Sequence, residues 1–115
     1  MINLGQLQDE ARRWFNDNLA TEDPQKDKFC QALGVTEEAG EIAHMVRVDF
    51  QNIREGLDKP KVLDEIEDGV GDIVFYAANL CSLYGIDMEQ AIQKTFDKVL
   101  KRDWKTNPAD AHKEG

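Results

Sequence analysis

The chain has 115 residues, of which 41% are hydrophobic and 32% charged, and its formal net charge at pH 7 is −9. This composition is too apolar for a disordered chain and too polar for an integral membrane protein. The excess of acidic residues disfavours binding to the phosphate backbone of nucleic acid, and no apolar run is long enough for a membrane helix or a signal peptide. We therefore expect one soluble, cytoplasmic domain over residues 1–115 that binds neither nucleic acid nor membrane.

Apolar residues recur at helical spacing in four segments, and capping or turn residues separate these segments. Asn3 and Gln6 form a capping-box pattern before the first segment, and Asp23 followed by Pro24 marks the start of the second. Gly85 ends the third. The predicted helices span about 3–19, 24–53, 61–84 and 88–104, and a polar tail follows from about 106. With no alternating strand pattern, the sequence predicts an all-α protein of the four-helix-bundle type.

The second predicted helix is apolar around much of its circumference. Four helices in so short a chain cannot cover such a surface, so we expect a homodimer or homotetramer. The two cysteines, Cys30 and Cys81, lie within apolar helical patterns and form no CxxC pair. Both are expected to be buried, reduced thiols.

Acidic residues are concentrated in the second and third predicted helices. The motif EEAGE places Glu38 and Glu41 on a helix face that is otherwise apolar, so both are expected to be partly buried. In the next helix, EIEDGVGD places Asp68 and Asp72 on one stripe, which continues along the helix to Asn79. If the two helices pack antiparallel, the two glutamates face the two aspartates across the interface.

Carboxylates withdrawn from water need a partner, because the unpaired charge is a large cost against a total stability of about 5–15 kcal/mol. Oxygen ligands without histidine or cysteine suit Mg²⁺ or Mn²⁺. Gly40, Gly69 and Gly71 each cost the helices about 1 kcal/mol relative to alanine, which indicates close approach nearby. The alternative is an ordinary solvated face, and spacing alone does not exclude it.

The ordered set of motifs resembles the MazG-like nucleotide pyrophosphohydrolases. EEAGE is followed by DGVGD ahead of the apolar run IVFYAANLC, then by GIDMEQAI and a helix rich in lysine and arginine, and the similarity spans roughly Trp14 to Trp104. The resemblance implies an all-α oligomer. It also implies magnesium-dependent hydrolysis of nucleoside triphosphates, including deoxy or non-canonical ones, to monophosphate and pyrophosphate.

The resemblance also implies roles for individual acidic residues. By the family's EExxE motif, Glu38 and Glu41 are metal ligands, and Glu37 is a candidate to activate the attacking water. Asp72 matches the aspartate of the family's second motif, ExxD. The chain departs from that motif three residues earlier, where a glycine stands in place of the glutamate. Asp68, a full turn from Asp72, is the expected substitute.

Four further residues are candidates for substrate binding. Lys98 and Arg102 lie where the family places basic residues, and they are expected to hold phosphates that the metal does not neutralise, unless they belong to a solvated face. Trp14 is the candidate to stack on a base, although aromatics at helical spacing are more often core residues. Asn79 either reaches a sugar hydroxyl or phosphate or is an exposed polar residue.

Three other functions stay open at this point. A non-catalytic acidic interaction or regulatory protein predicts no response to Mg²⁺. The same fold can also act on phosphoribosyl-ATP or on nucleoside diphosphates. Finally, Glu41 and His44 have the Glu-x-x-His spacing of di-iron bundles, but that site needs a second such motif and the other histidine, His112, lies in the tail.

Overall fold

The computed structural model describes residues 1–51 and 58–109, and no strand occurs within them. In these ranges the α-helices are α1 (Leu4–Asn18), α2 (Pro24–Gln51), α3 (Lys59–Leu83) and α4 (Met88–Val99). The predicted all-α class is therefore confirmed. No single described helix is long and apolar enough to cross a membrane, and α3 with α4 meets that test only as a pair bent by 111°. The predicted end of the second helix near 53, residues 54–57 of the loop after it and the last six tail residues lie outside the described residues.

Side-chain caps explain where the helices begin. The Asn3 side chain accepts a hydrogen bond from the Gln6 backbone N–H at 2.9 Å, and the Gln6 side chain accepts one from the Asn3 backbone at 3.1 Å, which confirms the predicted capping box. Asp23 accepts from two backbone N–H groups of the first turn of α2. Asp58 and Asp87 cap α3 and α4, each accepting one hydrogen bond from a backbone N–H of the first turn. Each such cap typically stabilises a helix by about 1 kcal/mol.

The fourth helix is shorter than the prediction. It ends at Val99, whereas the sequence pattern indicated an end near residue 104. The cause is Asp103, whose side chain accepts hydrogen bonds at 3.2 Å from the backbone N–H groups two and three residues further on. This local bonding starts a separate turn and competes with the helix. Arg102 therefore lies beyond α4 and does not continue the helical face of Lys98.

The packing of α2 against α3 is the main contact between helices, and two glycines make it close. A Cβ atom at Gly34 would lie 2.5 Å from the ring of Tyr76, and one at Gly69 would lie 2.6 Å from Cγ1 of Ile42. Since real Cβ atoms do not approach so closely, any larger residue at either position forces the helices or the side chains to shift. The predicted close approach is confirmed at Gly69.

Two predictions about small residues are wrong. Nothing in the described residues lies within 4 Å of a Cβ atom built at Gly40 or Gly71, so neither glycine marks a close approach. Cys30 is exposed, and Cys81 is only half-buried against the core. Helical periodicity identified both cysteines as belonging to apolar faces, but it does not show whether another helix covers each face.

The core of a single chain is small. Its central cluster consists of Ala11, Ala78 and Met88, with partly buried side chains packed around them. The radius of gyration is 17.4 Å, against about 13 Å for a compact chain of this length. Many large apolar side chains are exposed, among them Phe29, Leu33, Val46, Phe50, Val70, Phe96, Leu100 and Trp104. One chain therefore leaves much of its apolar surface uncovered.

Candidate functional site

The register of α2 against α3 brings the predicted acidic residues together. Glu38 of α2 and Asp72 of α3 line the same two pockets. Gln31 lies seven residues before Glu38, and Asn79 lies seven residues after Asp72. Nδ2 of Asn79 donates a hydrogen bond of 3.3 Å to Oε1 of Gln31. Seven residues are about two helical turns, and a step backwards along α2 matches a step forwards along α3. The two helices are therefore antiparallel, as the sequence predicted.

The first pocket, which we call the acidic pocket, has a volume of about 350 Å³. It is lined by Glu38, Glu41, His44, Met45, Glu65, Asp68, Gly69 and Asp72. All four predicted metal ligands are in this lining, and Glu65 adds a fifth carboxylate. Glu38 is half-buried, whereas Glu41, Asp68 and Asp72 are exposed, so the expected burial of Glu41 is wrong.

Negative charge is concentrated in the acidic pocket. Partial burial raises the pKa of Glu38 above its usual value, and the charges of Glu41 and Asp72 raise it further. The side chains of Glu38 and Glu41 are close enough to share a proton. Burial, and then the charges of Glu38 and Glu37, raise the pKa of the neighbouring Tyr76. Glu37 lines neither pocket, but it lies near enough for its charge to be felt there.

The donor set of the acidic pocket fits a hard divalent cation, because it consists of carboxylates from two helices with no lysine or arginine among the described lining residues. Over residues 1–51 and 58–109, however, no three carboxylate, imidazole or thiol groups are arranged to hold a metal ion. The side chains of Glu38 and Glu41 are within hydrogen-bonding reach of each other, so side chains of the pocket have to move before a cation is held.

The glycine at the departure from the ExxD motif has a packing explanation. A Cβ atom at Gly69 would collide with Ile42 of α2, so a glutamate at this position would push the two helices apart or displace the isoleucine. Asp68, one residue earlier, lines the acidic pocket together with Asp72. The structure thus places Asp68 where it can supply the carboxylate that position 69 lacks.

His44, the histidine of the di-iron alternative, also lines the acidic pocket. Its Nδ1 atom lies 3.5 Å from a guanidinium nitrogen of Arg47, one turn further along α2. The second histidine that such a site needs is His112, which lies outside the described residues. The described part of the chain therefore contains one Glu-x-x-His motif and no partner for it.

The second pocket, which we call the apolar cavity, adjoins the acidic pocket and has a volume of about 680 Å³. Residues in and beside α1 form one wall, namely Ile2, Leu7, Glu10, Ala11, Trp14 and Leu19. The opposite wall consists of Glu38, Asp72, Phe75, Tyr76 and Asn79. Trp14 is 47% exposed, and its ring stands at 79° to that of Phe75 with the ring centroids 5.5 Å apart. Trp14 therefore presents aromatic surface at this cavity, as the stacking prediction requires.

Asn79 lies at the end of the apolar cavity that is remote from the acidic pocket. It is 1% exposed, and its Oδ1 atom has no hydrogen-bond partner among the described residues. The alternative prediction of an exposed polar residue is therefore wrong. Its partner, Gln31, is also buried, and the sequence analysis missed it. A signal was available, because Gln31 is a polar residue on the apolar face of α2, two turns before Glu38.

Hydrogen bonds at two places hold α1 where it forms the cavity wall. The buried carboxylate of Asp27 accepts from the backbone N–H of Thr21, at 3.1 Å, and from its hydroxyl, at 2.8 Å, which ties the connection after α1 to α2. Near the other end, the Gln8 side chain accepts from the backbone of Met88 at 2.9 Å and donates to the carbonyl of Ile86 at 2.7 Å. The wall is thus fixed to α2 at one end, and to the connection before α4 and the first residue of α4 at the other.

The two basic candidates are not brought to the carboxylates within one chain. Lys98 is exposed on α4 and Arg102 is half-buried after it, and neither residue lines the acidic pocket or the apolar cavity. The principal contact of α4 is with α1, so the fourth helix stands away from the acidic side of α2. Within the described residues of one chain, the basic candidates and the carboxylates therefore stay apart.

Residues 31–106 match a model of the MazG nucleotide pyrophosphohydrolase domain, while no curated protein and no solved structure gives a significant match to the chain. The matched range contains every residue of the acidic pocket, whereas α1 lies outside it. Proteins of this kind generally depend on a divalent metal. Because the match covers well over half of the sequence, the chain belongs to the MazG nucleotide pyrophosphohydrolase family and is a hydrolase of nucleotide phosphoanhydride bonds.

Proposed function

We propose that the protein hydrolyses nucleoside triphosphates, including deoxy or modified ones, to nucleoside monophosphate and pyrophosphate in a magnesium-dependent reaction, with Mn²⁺ as a substitute. The observation that carries the proposal is the junction of the two pockets, which share Glu38 and Asp72. A nucleotide has the same two-part chemistry, with anionic phosphates at one end and a flat base at the other. If the phosphates bind at the acidic pocket, the nucleoside lies in the adjoining apolar cavity.

Glu38, Glu41, Asp68 and Asp72 are the proposed magnesium ligands. When bound, the metal neutralises the carboxylates and the phosphates and fixes their geometry for reaction. Partial burial and then the charges of Glu41 and Asp72 raise the pKa of Glu38, and a cation would offset this negative charge. The four residues come from two helices packed in register, so they approach one substrate group from two sides.

Glu37 is the proposed base, placed beside the carboxylate cluster. It accepts a proton from the attacking water, whose oxygen bonds to the α-phosphorus while the bond from that phosphorus to the bridging oxygen breaks. The electron pair leaves with pyrophosphate. Lys98 and Arg102 of a neighbouring subunit are proposed to stabilise this leaving group, and Trp14 to stack against the base.

The proposed assembly is a homodimer or homotetramer. A radius of gyration well above that of a compact chain and the exposed Phe96 and Leu100 on and after α4 support it, because such surfaces are covered in stable proteins. Light scattering should give a mass of two or four times 13.1 kDa. Replacing Leu100, which is 80% exposed, by glutamate should shift that mass towards one chain. A wild-type mass of one chain at micromolar concentration would contradict the assembly.

The reaction is tested by measuring pyrophosphate and monophosphate released from a panel of ribo-, deoxy- and modified triphosphates, nucleoside diphosphates and phosphoribosyl-ATP. Each is assayed with Mg²⁺, with Mn²⁺ and with a chelator. We expect equal amounts of the two products from triphosphates, and only with metal present. A melting curve with and without millimolar Mg²⁺ gives an independent readout, because an ion bound only by the folded state raises the melting temperature. Release of orthophosphate, or activity in chelator, contradicts the proposal.

A further inference from the structure

The apolar cavity ends at a buried pair of amide side chains. Asn79 lines the cavity, whereas Gln31 lies behind it and accepts the hydrogen bond from Nδ2 of Asn79. The two residues are 1% and 4% exposed. Oδ1 of Asn79 has no donor among the described residues. Because buried carbonyl oxygens are nearly always hydrogen-bonded, this oxygen indicates a ligand that brings a donor.

The position of Asn79 along α3 fits one end of a nucleoside. With a helical rise of 1.5 Å per residue, Asn79 lies about 10 Å along the axis from Asp72, which is roughly the length of a nucleoside. Tyr76 lies between them, and its ring is fixed because it packs directly on Gly34. A nucleotide whose phosphates lie at the acidic pocket therefore has its sugar beside Tyr76 and its base at Asn79.

We propose that Asn79 determines the base specificity of the enzyme and selects a nucleobase that bears an exocyclic amino group. Such a base, as in cytosine or adenine nucleotides, donates an N–H to Oδ1 of Asn79. A base with an oxo group at the same ring position, as in uracil or hypoxanthine, presents a second acceptor there and leaves Oδ1 unpaired. The inference rests on the proposed function, since it names the substrate class of the same site.

Gln31 is a positioning residue in this arrangement. It contacts Asn79 and does not line the cavity. By accepting from Nδ2 of Asn79, Gln31 fixes which end of the amide faces the base. Without an acceptor behind it, the Asn79 amide can turn over and present a donor, and the preference for amino-bearing bases would fall.

The α1 wall of the apolar cavity, including Trp14, lies outside the family match, which begins at residue 31, whereas Asn79 lies within it. Trp14 adds aromatic surface that stacks on any base without regard to its hydrogen bonds. Discrimination between bases is therefore left to polar groups of the lining, and Asn79 is the buried one.

The kinetic test uses substrate pairs that differ only in an amino or an oxo group, namely dCTP against dUTP and ATP against ITP. We expect kcat/KM to favour the amino-bearing member of a pair by about 10- to 100-fold. Asn79→Leu, close in size but without hydrogen bonding, should bring the ratio near one. Gln31→Glu, which still accepts from Asn79, should keep the preference, and Gln31→Leu should reduce it. Equal efficiencies with the wild-type enzyme overturn the inference.

A binding measurement separates this inference from the proposed reaction. The wild-type protein is titrated calorimetrically, with Mg²⁺, against the α,β-imido analogues of dCTP and dUTP, in which the bond to be cleaved is blocked. Tighter binding of the cytosine analogue supports base selection even if no triphosphate is hydrolysed, an outcome that would overturn only the reaction. If all triphosphates are hydrolysed but the two analogues bind with equal affinity, the proposed reaction stands and base selection is overturned. Equal affinities, or no binding of either analogue, overturn base selection.

Discussion

The acidic pocket and the apolar cavity share two carboxylates but are built in different ways. The acidic pocket is formed by α2 and α3 alone, within the range that matches the MazG domain. The cavity also needs α1, which lies outside that range and is held by side-chain hydrogen bonds to α2 and to the start of α4. Phosphate chemistry thus depends on the register of two adjacent helices, whereas nucleoside recognition depends on a third helix packed against them.

The largest expected effect is a loss of hydrolytic activity in a protein that still folds. Glu38→Gln removes a carboxylate shared by both pockets, and we expect pyrophosphate release to fall by at least about 100-fold, because charge stabilisation at the reacting phosphate is lost. The matched control is Glu67→Gln, at an exposed acid of α3 that lines neither pocket. Release is measured at saturating Mg²⁺, and circular dichroism checks that both variants fold. Equal activities of the two variants would mean that Glu38 does not take part in the reaction.

Gly34→Ala tests the close packing behind Tyr76, which lines the apolar cavity. The new methyl group would lie 2.5 Å from ring atoms of Tyr76, so the ring or the helix has to move. We expect the free energy of unfolding to fall by about 1–3 kcal/mol, as for other overpacked cores. Gly40→Ala is the matched control, since open space surrounds that position, and it should raise stability by about 0.5–1 kcal/mol.

Chemical denaturation of the two alanine variants measures both changes. If Gly34→Ala and Gly40→Ala shift the midpoint in the same direction, the close packing of Tyr76 on Gly34 is wrong. Activity gives a second readout, because displacement of Tyr76 alters the apolar cavity. Gly34→Ala is therefore expected to lower kcat/KM, and Gly40→Ala is expected to leave it unchanged.

Asp27→Ala tests the apolar cavity without touching the acidic pocket. The substitution leaves the backbone N–H and hydroxyl of Thr21 without their acceptor, so we expect a loss of about 1–3 kcal/mol in the free energy of unfolding. Asp17→Ala, at an exposed acid near the end of α1, should change stability by less than about 0.5 kcal/mol. With α1 loosened, KM for the nucleotide should rise more than kcat falls. An unchanged KM would mean that the α1 wall does not contact the substrate.

The sequence predicted the acidic pocket well because helical periodicity and antiparallel packing are enough to define it. Glu38, Glu41, Asp68 and Asp72 follow from two stripes on adjacent helices, and all four line one pocket. Their catalytic and ligand roles remain predictions. The capping box at Asn3 was equally predictable, because a cap depends only on residues three positions apart.

The rest depends on contacts between segments that are distant in sequence. The hydrogen bond between Gln31 and Asn79 joins residues 48 positions apart, and no local pattern specifies it. The exposure of Cys30 likewise depends on which faces other helices cover. The early end of α4 was missed for a different reason, because the turn at Asp103 is local but competes with an apolar pattern that runs through it.

The smallest expected effect is a pH dependence of stability that originates in the acidic pocket. The pKa of Glu38 lies above its ordinary value of 4.5 in the folded protein, because of partial burial and then the charges of Glu41 and Asp72. Between the unfolded and the folded pKa, the native state binds more protons than the unfolded state. Stability therefore decreases as pH rises through that window, and the decrease is complete above the folded pKa.

Comparison of wild type with Glu38→Gln isolates this contribution, because the other titrating groups are common to both proteins. In chelator, the variant's melting temperature should gain on that of the wild type as pH rises from about 4.5, and the difference should then level off. Mg²⁺ at neutral pH should stabilise the wild type more than the variant, since the cation offsets the same negative charge. A difference that is independent of pH would mean that neither burial nor the charge of its neighbours perturbs Glu38 in the folded protein. The electrostatic support for a metal at the acidic pocket would then be lost, while the apolar cavity would be unaffected.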